Sequence, residues 1–130
     1  MDDEDTFTAH LARICRDLAE QPPPGEVADK AKLCLLDHLA ALLYGTRSRM
    51  EGVVRGMLCA FGRGGATLIA RKQTTSIQGA AFFHGLIATA EDLDDSHRFA
   101  SGLHLSAVTI PAALALPRNG SSPASSFSRR

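Results

Sequence analysis

Apolar residues recur along this chain at helical spacing in five separate stretches. Phe7, Leu11, Ile14, Cys15 and Leu18 share one face of a first helix, which Asp5 or Thr6 is placed to cap and which ends near Glu20. Pro22, Pro23, Pro24 and Gly25 cannot continue it, because proline lacks the backbone donor and clashes with the preceding turn. A second pattern covers residues 26–44, with Val27, Ala31, Cys34, Leu35, Leu39, Leu42 and Leu43 on a face that Leu36, Ala40 and Ala41 widen. That breadth predicts a central helix, and Gly45 reads as its left-handed terminator. Met50, Val53, Val54, Met57, Leu58 and Phe61 follow the i, i+3, i+4, i+7 rule in a third helix stopped by Gly62. Residues 66–70 read as a short extended segment, and Arg71-Lys72-Gln73 as a solvated turn. From Ser76 an alanine-rich helix puts Ile77, Ala80, Ala81, His84, Ile87 and Ala88 on one stripe. The last apolar segment, residues 105–116, contains Pro111, which sits in a first turn or kinks the helix.

This succession predicts an all-α helical bundle over residues 1–116. Residues 117–130 are serine-rich and nearly devoid of apolar side chains, and are expected to form a disordered tail. At 130 residues the chain suits one domain with one core. Asp37 and His38 interrupt the second apolar face and are expected to be a satisfied polar pair.

Charge narrows the function. Fourteen lysines and arginines balance fourteen aspartates and glutamates, so no basic field exists to attract nucleic acid or an anionic membrane surface. Cys15, Cys34 and Cys59 are odd in number and far apart, and are expected to be buried reduced thiols, with neither a disulfide framework nor a metal pair. The acidic N-terminus has the wrong charge for a secretory or transit signal, and no apolar run reaches the ~20 residues of a spanning helix. A cytoplasmic location follows as the expectation. Arg63-Gly64-Gly65 lacks the spacing of a phosphate-binding loop.

One stretch concentrates ionisable groups. Glu91, Asp92, Asp94, Asp95 and His97 lie within seven residues, and His104 follows a short glycine-containing loop. Carboxylates at the exit of the preceding helix oppose its dipole, at a cost of ~0.3–1 kcal/mol each. That placement and their mutual repulsion would raise proton affinity, which suits a general acid or base. Two other readings stand beside it. The next helix starts here with an aspartate as its cap, or the carboxylates and histidines ligate a divalent ion, although neither HExxH nor EF-hand spacing is present.

The residues of this turn also resemble a known signature. Asp92-Leu93-Asp94-Asp95-Ser96-His97, then His104-Leu105-Ser106-Ala107, then Ile110-Pro111-Ala112-Ala113-Leu114-Ala115 are similar to the DFDDTH, HPSA and PAALA elements of the MmgE/PrpD family. Leu36-Asp37-His38-Leu39-Ala40, Gly65-Ala66-Thr67 and Ala80-Ala81 before Gly85 resemble further family segments in the same order. The family includes 2-methylcitrate dehydratase, cis-aconitate decarboxylase and iminodisuccinate epimerase. Departures occur at Leu105 for a proline, Leu93 for an aromatic, Glu91 for an apolar residue and His84 for an asparagine.

The resemblance covers residues 7–116 and implies the N-terminal part of a large helical domain that family members combine with a smaller α+β lid. It implies a lyase, dehydratase or decarboxylase, acting on a small polycarboxylate by acid–base chemistry without metal or organic cofactor. Asp92 and His104 correspond to its catalytic pair, Ser96 and His97 to substrate-binding positions, and a homodimer is the usual assembly. The serine-rich stretch after Leu116 reads as the result of a frameshift or premature stop, making the chain a truncated form. The alternative is a non-catalytic helical interaction module with a vestigial site.

Overall fold

The computed structural model describes residues 6–99 and 102–116. The expected disordered tail lies outside them. The chain divides into two compact units, residues 1–33 and 34–130.

In the first unit, α1 (Phe7–Glu20) starts where the Thr6 hydroxyl accepts the amide of Ala9 at 3.2 Å, the cap that the sequence offered. The proline run ends it, and α2 (Gly25–Gly45) then begins with the amides of Val27 and Ala28 on the carbonyl of Pro24.

The second unit contains the end of α2, then α3 (Met50–Met57) with a 3₁₀ turn at Leu58–Phe61, and a two-stranded antiparallel hairpin. The hairpin pairs β1 (Ala66–Thr67) with β2 (Thr74–Thr75), Ala66 opposite Thr75. Helices α4 (Ile77–Thr89) and α5 (Leu105–Ala115) complete it. The chain is mostly α-helical, as expected, and the hairpin is a small addition that begins at the predicted extended segment.

Ala41, Leu42, Val54, Leu68, Ala80, Phe83, Ile87, Ala88 and Ala115 form the core of this unit. Phe83 and Ile87 are fully buried, each contributing about 1.5–3 kcal/mol through area removed from water. Small residues set how closely the helices approach. A Cβ on Gly45 would stand 1.9 Å from the carbonyl oxygen of Ile87, so Gly45 serves α2–α4 contact and is not the left-handed terminator that its position suggested. Gly62, at φ 74°, does adopt that conformation after the 3₁₀ turn. Pro111 lies inside α5 and has no N–H for the carbonyl of Ala107. That same carbonyl lies 2.9 Å from where a Cβ on Gly85 would be, so the helix face weakened by proline is the one that meets a glycine.

Three further expectations need correction. Arg71 is no solvated turn residue: its Nε donates to Glu51 Oε1 at 2.8 Å and its Nη2 to the carbonyl of Thr46 at 3.2 Å, fastening the hairpin to α3 and to the loop before it. The thiols are not buried, since Cys15 and Cys59 are exposed and Cys34 is half-buried. His38 is fully buried, but neither ring nitrogen has a hydrogen-bond partner, so it is no satisfied pair with Asp37. No described helix is long and apolar enough to cross a membrane.

Candidate functional site

α4 begins at Ser76, whose Oγ accepts the amide of Gly79 at 3.1 Å, and ends at Thr89, before the first carboxylate of the acidic cluster. The chain then turns through Asp92, whose amide bonds the carbonyl of Thr89 at 3.1 Å and whose φ of 54° is a left-handed conformation that aspartate tolerates better than most residues. Beyond it the backbone runs toward the start of α5.

Asp94 and Asp95 therefore face a helix entrance rather than a helix exit. Asp95 Oδ1 accepts both the backbone amide of Ser106, at 3.0 Å, and the Ser106 hydroxyl. It caps α5 from eleven residues away, satisfying one of the donors left free in the first helical turn. The sequence reading in which an aspartate caps the next helix describes Asp95. The premise that the cluster sits at an unfavourable helix end does not hold for it.

Asp94 takes a different partner. Its side chain is only 1% exposed, and Oδ2 meets His104 Nδ1 at 3.0 Å. A carboxylate only accepts, so His104 carries a proton on Nδ1 and keeps Nε2 as its basic nitrogen. Asp92, Asp94 and His104 line one end of a cleft of about 530 Å³ between α4 and α5, and Phe82, Leu86 and Val108 supply apolar wall.

The structure thus brings Asp92 and His104, both singled out in the sequence, to one cavity. Ser96 and His97 are not among its lining residues. They belong to a small exposed loop in which the amide of His97 bonds the carbonyl of Leu103 at 2.8 Å. The His97 ring stands edge-on to Phe99, and the Arg98 guanidinium lies over that same ring at 5.6 Å. Asp94, which the sequence reading placed in the cluster without a role, is the residue that holds His104. Ten positions separate the two, so no local spacing rule could have paired them.

Two more histidines are buried: His38 interacts electrostatically with Asp94 and Asp95, and His84 with His38. His84 Nε2 accepts the amide of Ile69 at 2.9 Å, which ties the hairpin loop to α4. Burial, and secondarily the neighbouring His38, lower the His84 pKa to about 4. Burial likewise lowers that of His38, against the opposing pull of the Asp95, Asp94 and Asp37 carboxylates. Among the described residues no three His, Cys, Asp or Glu side chains form a group that could hold a metal ion.

The family model for the MmgE/PrpD N-terminal domain matches residues 9–125, which runs past Leu116 into the stretch read as unrelated in composition. No curated protein and no solved structure matches the chain.

Proposed function

The chain belongs to the MmgE/PrpD family through its N-terminal domain, and from that premise we propose that it contributes the proton-transfer side of a lyase site acting on a small polycarboxylate such as 2-methylcitrate or cis-aconitate. The observation that carries the reading is the sharing of one cleft by Asp92, Asp94 and His104, with His104 fixed by Asp94 at 3.0 Å. In a dehydration, His104 Nε2 takes a proton from carbon beside a substrate carboxylate and protonated Asp92 gives its proton to the departing hydroxyl, which leaves as water; in a decarboxylation, the C–C bond to the departing CO2 breaks and the carbon left behind receives a proton from the same pair.

Turnover of 2-methylcitrate, citrate and cis-aconitate by the full chain tests the proposal. Positioned proton transfer contributes about 10²–10⁴ in rate, so His104→Gln and Asp92→Asn are each expected to lose activity on that scale. Turnover that survives both substitutions, or a chain that neither turns over nor binds any of the three acids, would refute it.

One observation favours a second reading. Val53 is 59% exposed on α3 and Val108 72% exposed on α5, and apolar side chains in such positions suit a non-catalytic helical module that pairs with a second copy of this chain. Turnover by the sedimenting dimer separates the readings: stable dimers that turn over none of the three acids favour the module.

A further inference from the structure

Four buried side-chain nitrogen and oxygen atoms in the second unit have no hydrogen-bond partner and lie on residues that interact electrostatically: His84 Nδ1, both ring nitrogens of His38, and Asp94 Oδ1. Buried polar groups without partners are rare, and each costs about 1–3 kcal/mol. Four on three electrostatically interacting residues, one of which lines the cleft, call for a common cause.

Their donor and acceptor roles can be assigned. The Ile69 amide donates to His84 Nε2, so that nitrogen carries no proton and the neutral ring is protonated on Nδ1. Asp94 Oδ1 is an acceptor. A neutral imidazole has one donor and one acceptor, so His38 offers one of each. Two donors and two acceptors remain, and one order satisfies all four: His84 Nδ1–H toward His38, and the remaining N–H of His38 toward Asp94 Oδ1.

We infer that His38 is a positioning residue for His104, joining Ile69, His84, His38, Asp94 and His104 in one directional hydrogen-bonded chain, each link through His38 closing across one buried water. His38 and His84 are 0% and 1% exposed, so bulk solvent does not compete for these groups. At the far end the chain anchors the Asp94 carboxylate, which holds the His104 proton on Nδ1 and leaves Nε2 basic. Its importance for turnover rests on the proposed role of His104, whereas the chain itself is tested without any substrate.

Imidazole ¹H–¹⁵N correlation spectra of the full chain at pH 7 are expected to show His84 and His104 as Nδ1–H tautomers, and His38 with one protonated nitrogen whose proton exchanges slowly. His38→Leu strands the His84 donor and the Asp94 acceptor, so the unfolding equilibrium constant is expected to rise about tenfold or more. A merely unsatisfied imidazole predicts the opposite sign, because replacing it with an apolar side chain removes a penalty. His38→Gln keeps a donor and an acceptor, and is expected to restore most of the stability and the His104 Nδ1–H population that the leucine variant loses. His84 as the Nε2–H tautomer, a leucine variant at least as stable as the parent, or a folded leucine variant with unaltered His104 resonances would each overturn the inference. If the leucine variant does not fold, the parent's tautomers and the glutamine variant decide. Loss of turnover with the chain of hydrogen bonds intact would count against the lyase reading alone.

Discussion

Acidification should destabilise this protein through His84 before most carboxylates respond. In the unfolded chain the group has its ordinary value of 6.5, whereas burial holds it at about 4 in the folded state. Between those values the unfolded chain binds a proton that the folded one refuses, so stability falls as pH falls. The contribution is intact above pH 6.5 and fully lost near pH 4. The gap between 6.5 and about 4, at about 1.4 kcal/mol per pH unit, comes to about 3 kcal/mol, of which about 2 kcal/mol is lost between pH 7 and pH 5. His38, also lowered by burial, adds to the loss with the same sign. Urea denaturation followed by far-ultraviolet circular dichroism at the two pH values measures the effect, and His84→Gln isolates it. Its amide oxygen can take the Ile69 N–H but does not titrate. The parent is expected to lose about 2 kcal/mol more than the variant on going from pH 7 to pH 5. An unchanged difference between them at the two pH values would refute the reasoning.

Gly45→Ala places a methyl 1.9 Å from the Ile87 carbonyl oxygen, and because that atom is backbone the two helices must separate. The gain in helix propensity, about 1 kcal/mol, offsets part of an overpacking cost of about 1–3 kcal/mol or more. A clear drop in thermal midpoint is expected in calorimetry, and an equally stable variant would deny the close α2–α4 approach. Asp95→Ala removes the cap of α5 and should cost about 1–2 kcal/mol. Amide hydrogen exchange should quicken first at Ser106, and unchanged protection there would show that the cap does not hold the helix.

The helices were legible because their signals are local. Proline and glycine breaks, capping hydroxyls at Thr6 and Ser76, and apolar periodicity all act within a few residues, and the observed bounds follow them closely. What covers an apolar face is not local, so the third helix shows Val54 buried while Met50, Val53 and Met57 on the same pattern stay about half exposed. Phe83 lies outside the stripe assigned from sequence yet is fully buried. The site divides in the same way. Asp92 and His104 were found through a motif, but the pairing of His104 with Asp94 and of Ser106 with Asp95 spans ten and eleven positions. The Ile69–His84 bond spans fifteen. No periodicity encodes such contacts.

The acidic turn illustrates how the same charges change meaning with their surroundings. Read as the end of α4, four carboxylates look misplaced and their strain looks like a reason for catalysis. Once Asp95 is seen to cap α5 and Asp94 to hold His104, two of the four are accounted for by ordinary attraction. What remains at the cleft is one imidazole beside Asp92 and Asp94, and among the described residues its lining includes no lysine or arginine. A substrate carboxylate about 4 Å from the Asp94 carboxylate would meet repulsion on the order of 4 kcal/mol at a near-surface dielectric. Under the proposed function, then, this domain supplies the groups that move protons, and the cations that hold the substrate come from another surface. Arg98, the nearest basic residue in sequence, is engaged with Phe99 on the exposed loop and is not among the residues lining this end. The division is physically sensible, because a lysine or arginine beside His104 would compete for Asp94 and weaken the contact that fixes the position of the base.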